Sequence, residues 1–134
     1  MPLGRIILYV CDVEATIGFY ARYFGFEPHR EEGDRIVELR ASDGGANLMV
    51  HPAAKSQKMG QSLVKLVFDV EDVEAFRARC LEEGLEFGPV HQADGYIFAN
   101  AKDPSGNSVS ISSRAFRQTS GGDAAPPPDP VDQT

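Results

Sequence analysis

The sequence has no tryptophan, only two cysteines and three histidines, and no apolar run longer than residues 6–11. A membrane-spanning helix needs about 20 apolar residues, so no contact with a membrane is expected. The first residues carry no charged segment leading into a long apolar stretch, so no signal peptide is expected either. Basic residues are also scarce, 13 against 20 acidic ones, for a net charge of −7. Up to Ser113 the balance is 11 basic to 17 acidic, so the acidity does not come from the C-terminal stretch. Such a surface repels phosphate backbones, which argues against nucleic acid as a partner. Cys11 and Cys80 stand in unrelated contexts, without a CxxC or a His/Cys cluster. A reduced, cytoplasmic setting is the simplest expectation. Gly44-Gly45 makes no phosphate loop, no serine sits in GxSxG, and neither cysteine has a nearby histidine to activate it.

What is present is an ordinary globular composition, 42% hydrophobic and 25% charged, followed by a different kind of segment. From Gln118 onward there is one large apolar residue, Val131, and four of the nine prolines. Little there can offset the entropy of ordering the chain, so residues 114–134 read as a disordered, Pro-rich tail.

The rest repeats itself once, at an offset of 60. Val10-Cys11-Asp12-Val13-Glu14-Ala15 falls on Val70-Glu71-Asp72-Val73-Glu74-Ala75 with five identities in six. Leu3, Asp34, Ala41, Asp43 and Asn47 fall on Leu63, Asp94, Ala101, Asp103 and Asn107. Residues 1–113 thus read as one domain built of two modules, 3–52 and 62–113. Each module opens with a β-branched and aromatic strand, at residues 5–10 and 65–70. Asp12 and Asp72 suit helix N-caps, with Glu14 and Glu74 in the first turn. Ile17, Tyr20 and Phe24 then recur at helical spacing, as do Val73, Phe76, Cys80 and Leu81. Gly25 and Gly84 suit helix ends that need positive φ. Three strands follow in each module, at 26–30, 35–41 and 46–51, and at 86–91, 95–101 and 108–112. The fold class is α+β, two βαβββ modules in tandem.

Alternation assigns faces. Ile6, Leu8 and Val10, with Leu66, Phe68 and Val70, should lie under the helices, as should Val109 and Ile111. Arg5, Ile7 and Tyr9, with Lys65, Val67 and Asp69, fall on the other face, as do Ser108, Ser110 and Ser112. Each sheet then has a dry face and a mixed face, and a concave mixed face suits a ligand.

This pattern resembles the vicinal oxygen chelate superfamily, which includes glyoxalase I, bleomycin and fosfomycin resistance proteins and extradiol dioxygenases. The resemblance rests on Val10-Cys11-Asp12-Val13-Glu14-Ala15 leading to Phe19-Tyr20, on Tyr23-Phe24-Gly25-Phe26, on Val70-Glu71-Asp72-Val73, and on the turn Asp103-Pro104-Ser105-Gly106-Asn107. It covers about residues 3–113 and implies concave half-barrel sheets. It also implies a homodimer, because single-chain members of this size usually complete their clefts at a dimer interface.

Enzymes of the superfamily hold a divalent metal on His or Gln from the first strands and Glu from the fourth strands. By resemblance those positions are Arg5, Val50 (or Leu48), Lys65 and Ser110. Charged Arg and Lys cannot ligate a metal, Val and Leu have no donor, and Ser is a poor ligand. A relocated metal would have to use His29, His51 or His91 with Glu38 or Asp94, and no pair has HxH or HxxxH spacing. No metal and no cofactor are therefore expected. Arg5 and Lys65, equivalent in the repeat, are candidates for a cationic clamp on a carboxylate or phosphate. The other reading of the pair is that each meets a carboxylate such as Glu38 or Asp69, or extends to the rim. Tyr9, Tyr96 and Phe98 are candidate walls, or plain core. The candidate ligand-binding residues are Arg5, Tyr9, Glu38, Lys65, Phe98 and Ser110, with no catalytic residue among them.

The expectation is a metal-free small-molecule-binding protein of the glyoxalase/bleomycin-resistance type, sequestering an antibiotic or a metabolite. The rival is a metal-dependent lyase, isomerase or dioxygenase with a non-standard metal site. A third class is a purely structural or protein-binding module, with the tail as one route to a partner.

Overall fold

The computed structural model describes residues 1–118. The Pro-rich tail lies outside the described residues from 119 onward. Its first part does not: Arg114–Phe116 forms a 3₁₀ turn, so ordered structure runs past Ser113. That turn is held because Ser112 Oγ accepts from Arg114 N at 3.1 Å and the Arg114 guanidinium donates to Tyr96 Oη at 3.1 Å.

Among the described residues, eight strands and two α-helices follow one another as two βαβββ sets. The first is β1 (Arg5–Val10), α1 (Val13–Phe24), β2 (Glu27–His29), β3 (Val37–Arg40) and β4 (Asn47–Pro52). The second is β5 (Lys65–Asp69), α2 (Val73–Glu82), β6 (His91–Gln92), β7 (Ile97–Lys102) and β8 (Ser108–Ser112). They build two four-stranded sheets, ordered β1-β4-β3-β2 and β5-β8-β7-β6. The first and fourth strands of each set pair in parallel. The described residues divide into two compact units, Met1–Leu63 with Lys102–Asn107, and Val64–Ala101 with 108–118.

Both helices start as the sequence predicts. Asp12 Oδ1 accepts from Ala15 N, and Asp72 Oδ1 from Ala75 N, each at 3.0 Å. Each cap is worth about 1 kcal/mol. Gly25 ends α1 at φ 73, where a side chain would be strained. Helix α1 buries Thr16, Ile17, Phe19 and Tyr20 and packs on β2, β3 and β4 of its own sheet. The sheet buries Leu8, Val10, Val37, Leu39, Leu48 and Val50. Full burial of one such side chain contributes roughly 1.5–3 kcal/mol.

The second unit is drier in its last strand and wetter elsewhere. Val109, Ser110, Ile111 and Ser112 are all buried, so β8 is covered on both faces beyond the partly buried Ser108. Leu81, expected to be in the core, is exposed, and α2 buries Val73 and Cys80. The strand expected over 86–91 shrinks to His91–Gln92. Pro89 has no N–H to give, and Arg77 takes the Gly88 carbonyl at 2.9 Å. Only Gly88 N, bonded to Asn100 O at 2.8 Å, keeps a ladder-like link there.

The turn between β7 and β8 belongs to the first unit. Its Asp103 accepts four hydrogen bonds, from Ser105 N, Asn107 N, Asn107 Nδ2 and the Tyr20 hydroxyl of α1. Ser105 Oγ accepts from Cys11 N at 3.1 Å, just ahead of α1.

Candidate functional site

The register of β1 against β4 pairs Arg5 with Asn47, Ile7 with Met49 and Tyr9 with His51. The register of β3 against β4 then sets Glu38 beside Met49. These residues make the mixed face of the first sheet. Arg5 Nε lies 3.8 Å from Glu38 Oε1, with the arginine largely exposed. Asn47 ties β4 to β3 and its end, donating to Glu38 Oε1 at 3.2 Å and accepting from Ala41 N at 2.9 Å. The Tyr9 ring sits 5.6 Å from that of His51. His51 Nδ1 donates to the Pro52 carbonyl at 2.7 Å, which leaves Nε2 as the acceptor nitrogen.

The same register corrects one expectation. Val50 and Leu48 are not on this face. They pair with Val37 and Leu39 and are buried on the helix side. The residue matching Ser110 is Met49: Ile7 pairs with Met49 as Val67 pairs with Ser110. The repeat offset is 60 at the first strands but 61 at the fourth, and one residue reverses the face of a strand. A thioether replaces the expected carboxylate, and it is a soft ligand unsuited to the hard divalent ions that carboxylates hold.

In the second sheet, Lys65 pairs with Ser108 and Val67 with Ser110. Lys65 Nζ donates to Asn100 Oδ1 at 3.0 Å and lies 5.9 Å from the Phe98 ring centroid. Phe98 is flanked by His91, centroids 5.0 Å apart, and by Tyr96, 6.3 Å apart. Ser110 is buried and donates to the Ala99 carbonyl at 3.1 Å, so its hydroxyl is spent inside the sheet. Of the six residues singled out from the sequence, Arg5, Tyr9 and Glu38 share one face of the first sheet. Lys65 and Phe98 adjoin in the second. Sequence reasoning missed Asn47, Met49, His91 and Asn100 as members of these faces. Asn100 stands two residues beyond Phe98, so strand alternation carried the signal for it.

The donor set does not fit a metal. Arg5, Met49, Lys65 and Ser110 offer no carboxylate or imidazole, and the described residues contain no group of three or more His, Cys, Asp and Glu side chains able to hold an ion. Nor is there an activated nucleophile in Cys80, whose thiol is pushed up by burial.

The sequence matches the model of the Glyoxalase/Bleomycin resistance protein/Dioxygenase superfamily over residues 3–111. The chain belongs to that superfamily. Solved structures agree on the fold of this superfamily member. TnmS3, an antibiotic binding protein from Streptomyces sp. CB03234, superposes with a TM-score of 0.69 at 20% identity, covering 83% of this chain and 93% of that one. Lactoylglutathione lyase from Agrobacterium tumefaciens gives 0.64 at 20% identity, covering 81% and 90%. UcmS2 gives 0.71 at 18% identity, covering 84% and 98%. A search of curated proteins found no match to the sequence. Among the described residues, no helix is long and apolar enough to cross a membrane.

Proposed function

We propose that this superfamily member is a metal-free, cytoplasmic binding protein for a small molecule, an antibiotic or a metabolite, and that it acts as a homodimer. The observation that carries the reading is the residue set Arg5, Met49, Lys65 and Ser110 at the positions where metal-dependent relatives place their ligands. Two of these are cations that repel a metal ion, one is a soft thioether, and one is a hydroxyl committed to a backbone carbonyl. The likeness to TnmS3, an antibiotic binding protein, supports sequestration as the use of the fold. The likeness to a lactoylglutathione lyase is to its fold, without a donor set to support that chemistry here.

The test is elemental analysis of tag-free protein after incubation with Ni, Zn, Mn and Fe(II) and desalting, followed by a thermal-shift screen of antibiotics and anionic metabolites. The expected result is substoichiometric metal throughout and at least one stabilising ligand. About one tightly held metal per chain would overturn the reading in favour of a metal-dependent lyase, isomerase or dioxygenase.

A further inference from the structure

The second unit holds one polar atom with unfinished chemistry. Asn100 on β7 is 9% exposed, and its Nδ2 is buried without a hydrogen-bond partner among the described residues. The cause stands next to it. Lys65 Nζ donates to Asn100 Oδ1. An ammonium has only hydrogens to offer, so it turns the amide oxygen toward itself and leaves the NH2 group on the other side. A buried donor left unpaired is destabilising, and folded proteins keep few of them.

The surroundings are aromatic and cationic. Phe98 lies under Lys65, with the His91 ring tilted 32° and the Tyr96 ring tilted 34° against it. Arg114 and Arg117 stand over the Tyr96 ring, 5.2 and 5.7 Å from its centroid. This row of three rings, with one cation over its middle ring and two over the Tyr96 end, occurs in a chain of net charge −7. The positive character is local.

We infer that Asn100 Oδ1 holds the place of a ligand oxygen, and that Lys65 and Asn100 form the acceptor site for a carboxylate on a flat, apolar ligand body. The inference rests on the small-molecule-binding reading above and names the ligand class for it. An incoming carboxylate takes over the Lys65 ammonium. The released amide turns about its last side-chain bond, and Nδ2 donates to the same carboxylate. Two charge-assisted bonds then replace one bond to a neutral amide, and the orphaned donor is satisfied. Phe98 and Tyr96 are buried, so the partly exposed His91 ring, backed by Phe98, offers the flat body its surface for stacking. A cationic ligand would meet the like charge of the Lys65 ammonium at this pair.

The test uses the full chain and two probes of one shape, 2-naphthoate and 2-naphthamide, titrated by calorimetry and by side-chain amide NMR. Naphthoate is expected to bind at least about tenfold more tightly than naphthamide, the scale of one charge-assisted bond. The Asn100 NH2 signals should shift with naphthoate. Asn100→Asp keeps the size and the contact to Lys65 but supplies the anion from within. It should lose naphthoate affinity by at least about tenfold without a fall in Tm. Lys65→Met should lose affinity likewise, and Lys65→Arg should retain most of it. Equal binding of the two probes would overturn the anion site and leave the small-molecule reading standing. Parent-like naphthoate affinity in Asn100→Asp would overturn the role of Asn100. No naphthoate binding at millimolar concentration would overturn the inference, while a stabilising ligand found in the thermal-shift screen would keep the broader reading.

Discussion

The Tyr20 hydroxyl donates to Asp103 Oδ2 at 2.8 Å, and both residues are buried. The bond fastens helix α1 to the turn 103–107, which lies 83 residues further along the chain. Three more donors from that turn satisfy the same carboxylate. The turn that carries part of the family resemblance is thus a lock within the first unit, and its charged residue has no capacity left for a ligand.

That lock has a sign in pH. Burial first, and then the neighbouring Asp103 carboxylate, raise the Tyr20 hydroxyl well above its ordinary value of 10.0. The neutral phenol is therefore favoured in the folded state. Its contribution is fully present below pH 10, the ordinary value, and falls as pH rises above it, because only the unfolded chain can then release the proton. Urea denaturation across pH 7–11 should show a stability loss setting in near pH 10. Tyr20→Phe should flatten that loss. At neutral pH the variant should be less stable by about 1–3 kcal/mol, because Asp103 keeps its buried charge and loses a donor.

Gly106 offers a matched pair with Gly45. Both have positive φ, 84 and 83. A Cβ on Gly106 would meet Gly60 Cα at 3.1 Å, whereas one on Gly45 would meet nothing within 4 Å. Gly45→Ala should cost about 1 kcal/mol, the conformational strain alone. Gly106→Ala should cost clearly more, because a backbone atom must also give way. Thermal denaturation of the two variants side by side checks the order.

The architecture was legible in the sequence because its signals are local. Asp12 and Asp72 cap their helices, Gly25 takes positive φ, and seven of the eight strands fall close to their expected places. What was not legible depended on count and context. The identities at Asp43/Asp103 and Asn47/Asn107 suggested a constant offset of 60. In the fold, Asn47 sits in a strand opposite Arg5, while Asn107 closes a turn. One inserted residue moved the matching position from Val50 to Met49. The candidate site was half legible for a similar reason. Lys65 and Phe98 could be placed on a face from alternation, but Asn100 acquires its meaning only from the amide orientation that Lys65 imposes.

The two polar residues that meet Glu38 should differ in weight. The Arg5–Glu38 contact is long, 3.8 Å, and its arginine side chain is 59% exposed. Exposed pairs of this kind contribute little, so Arg5→Ala should change stability by less than about 1 kcal/mol. Asn47 is different, since its removal leaves Ala41 N without its side-chain acceptor at a partly buried strand end. Asn47→Ala should cost about 1–3 kcal/mol. Chemical denaturation of the two variants would reverse this assignment if Arg5→Ala proved the more damaging.

Neighbouring positions on β4 test the corrected face directly. Met49 is partly exposed on the mixed face beside Glu38, whereas Val50 is fully buried against Val37 under α1. Val50→Glu would bury an unpaired carboxylate between Leu8 and Val37, its buried neighbours on β1 and β3, which have no side-chain group to pair with it. A loss of several kcal/mol or outright failure to fold is expected. Met49→Glu places the same charge where water and the Arg5 guanidinium of β1 can reach the face, and should cost less than about 1.5 kcal/mol. Circular dichroism melts of the two variants decide between the faces. If Val50→Glu folded normally and Met49→Glu did not, the register that sets Met49 opposite Ile7 would be wrong, and the metal-ligand argument would return to Val50.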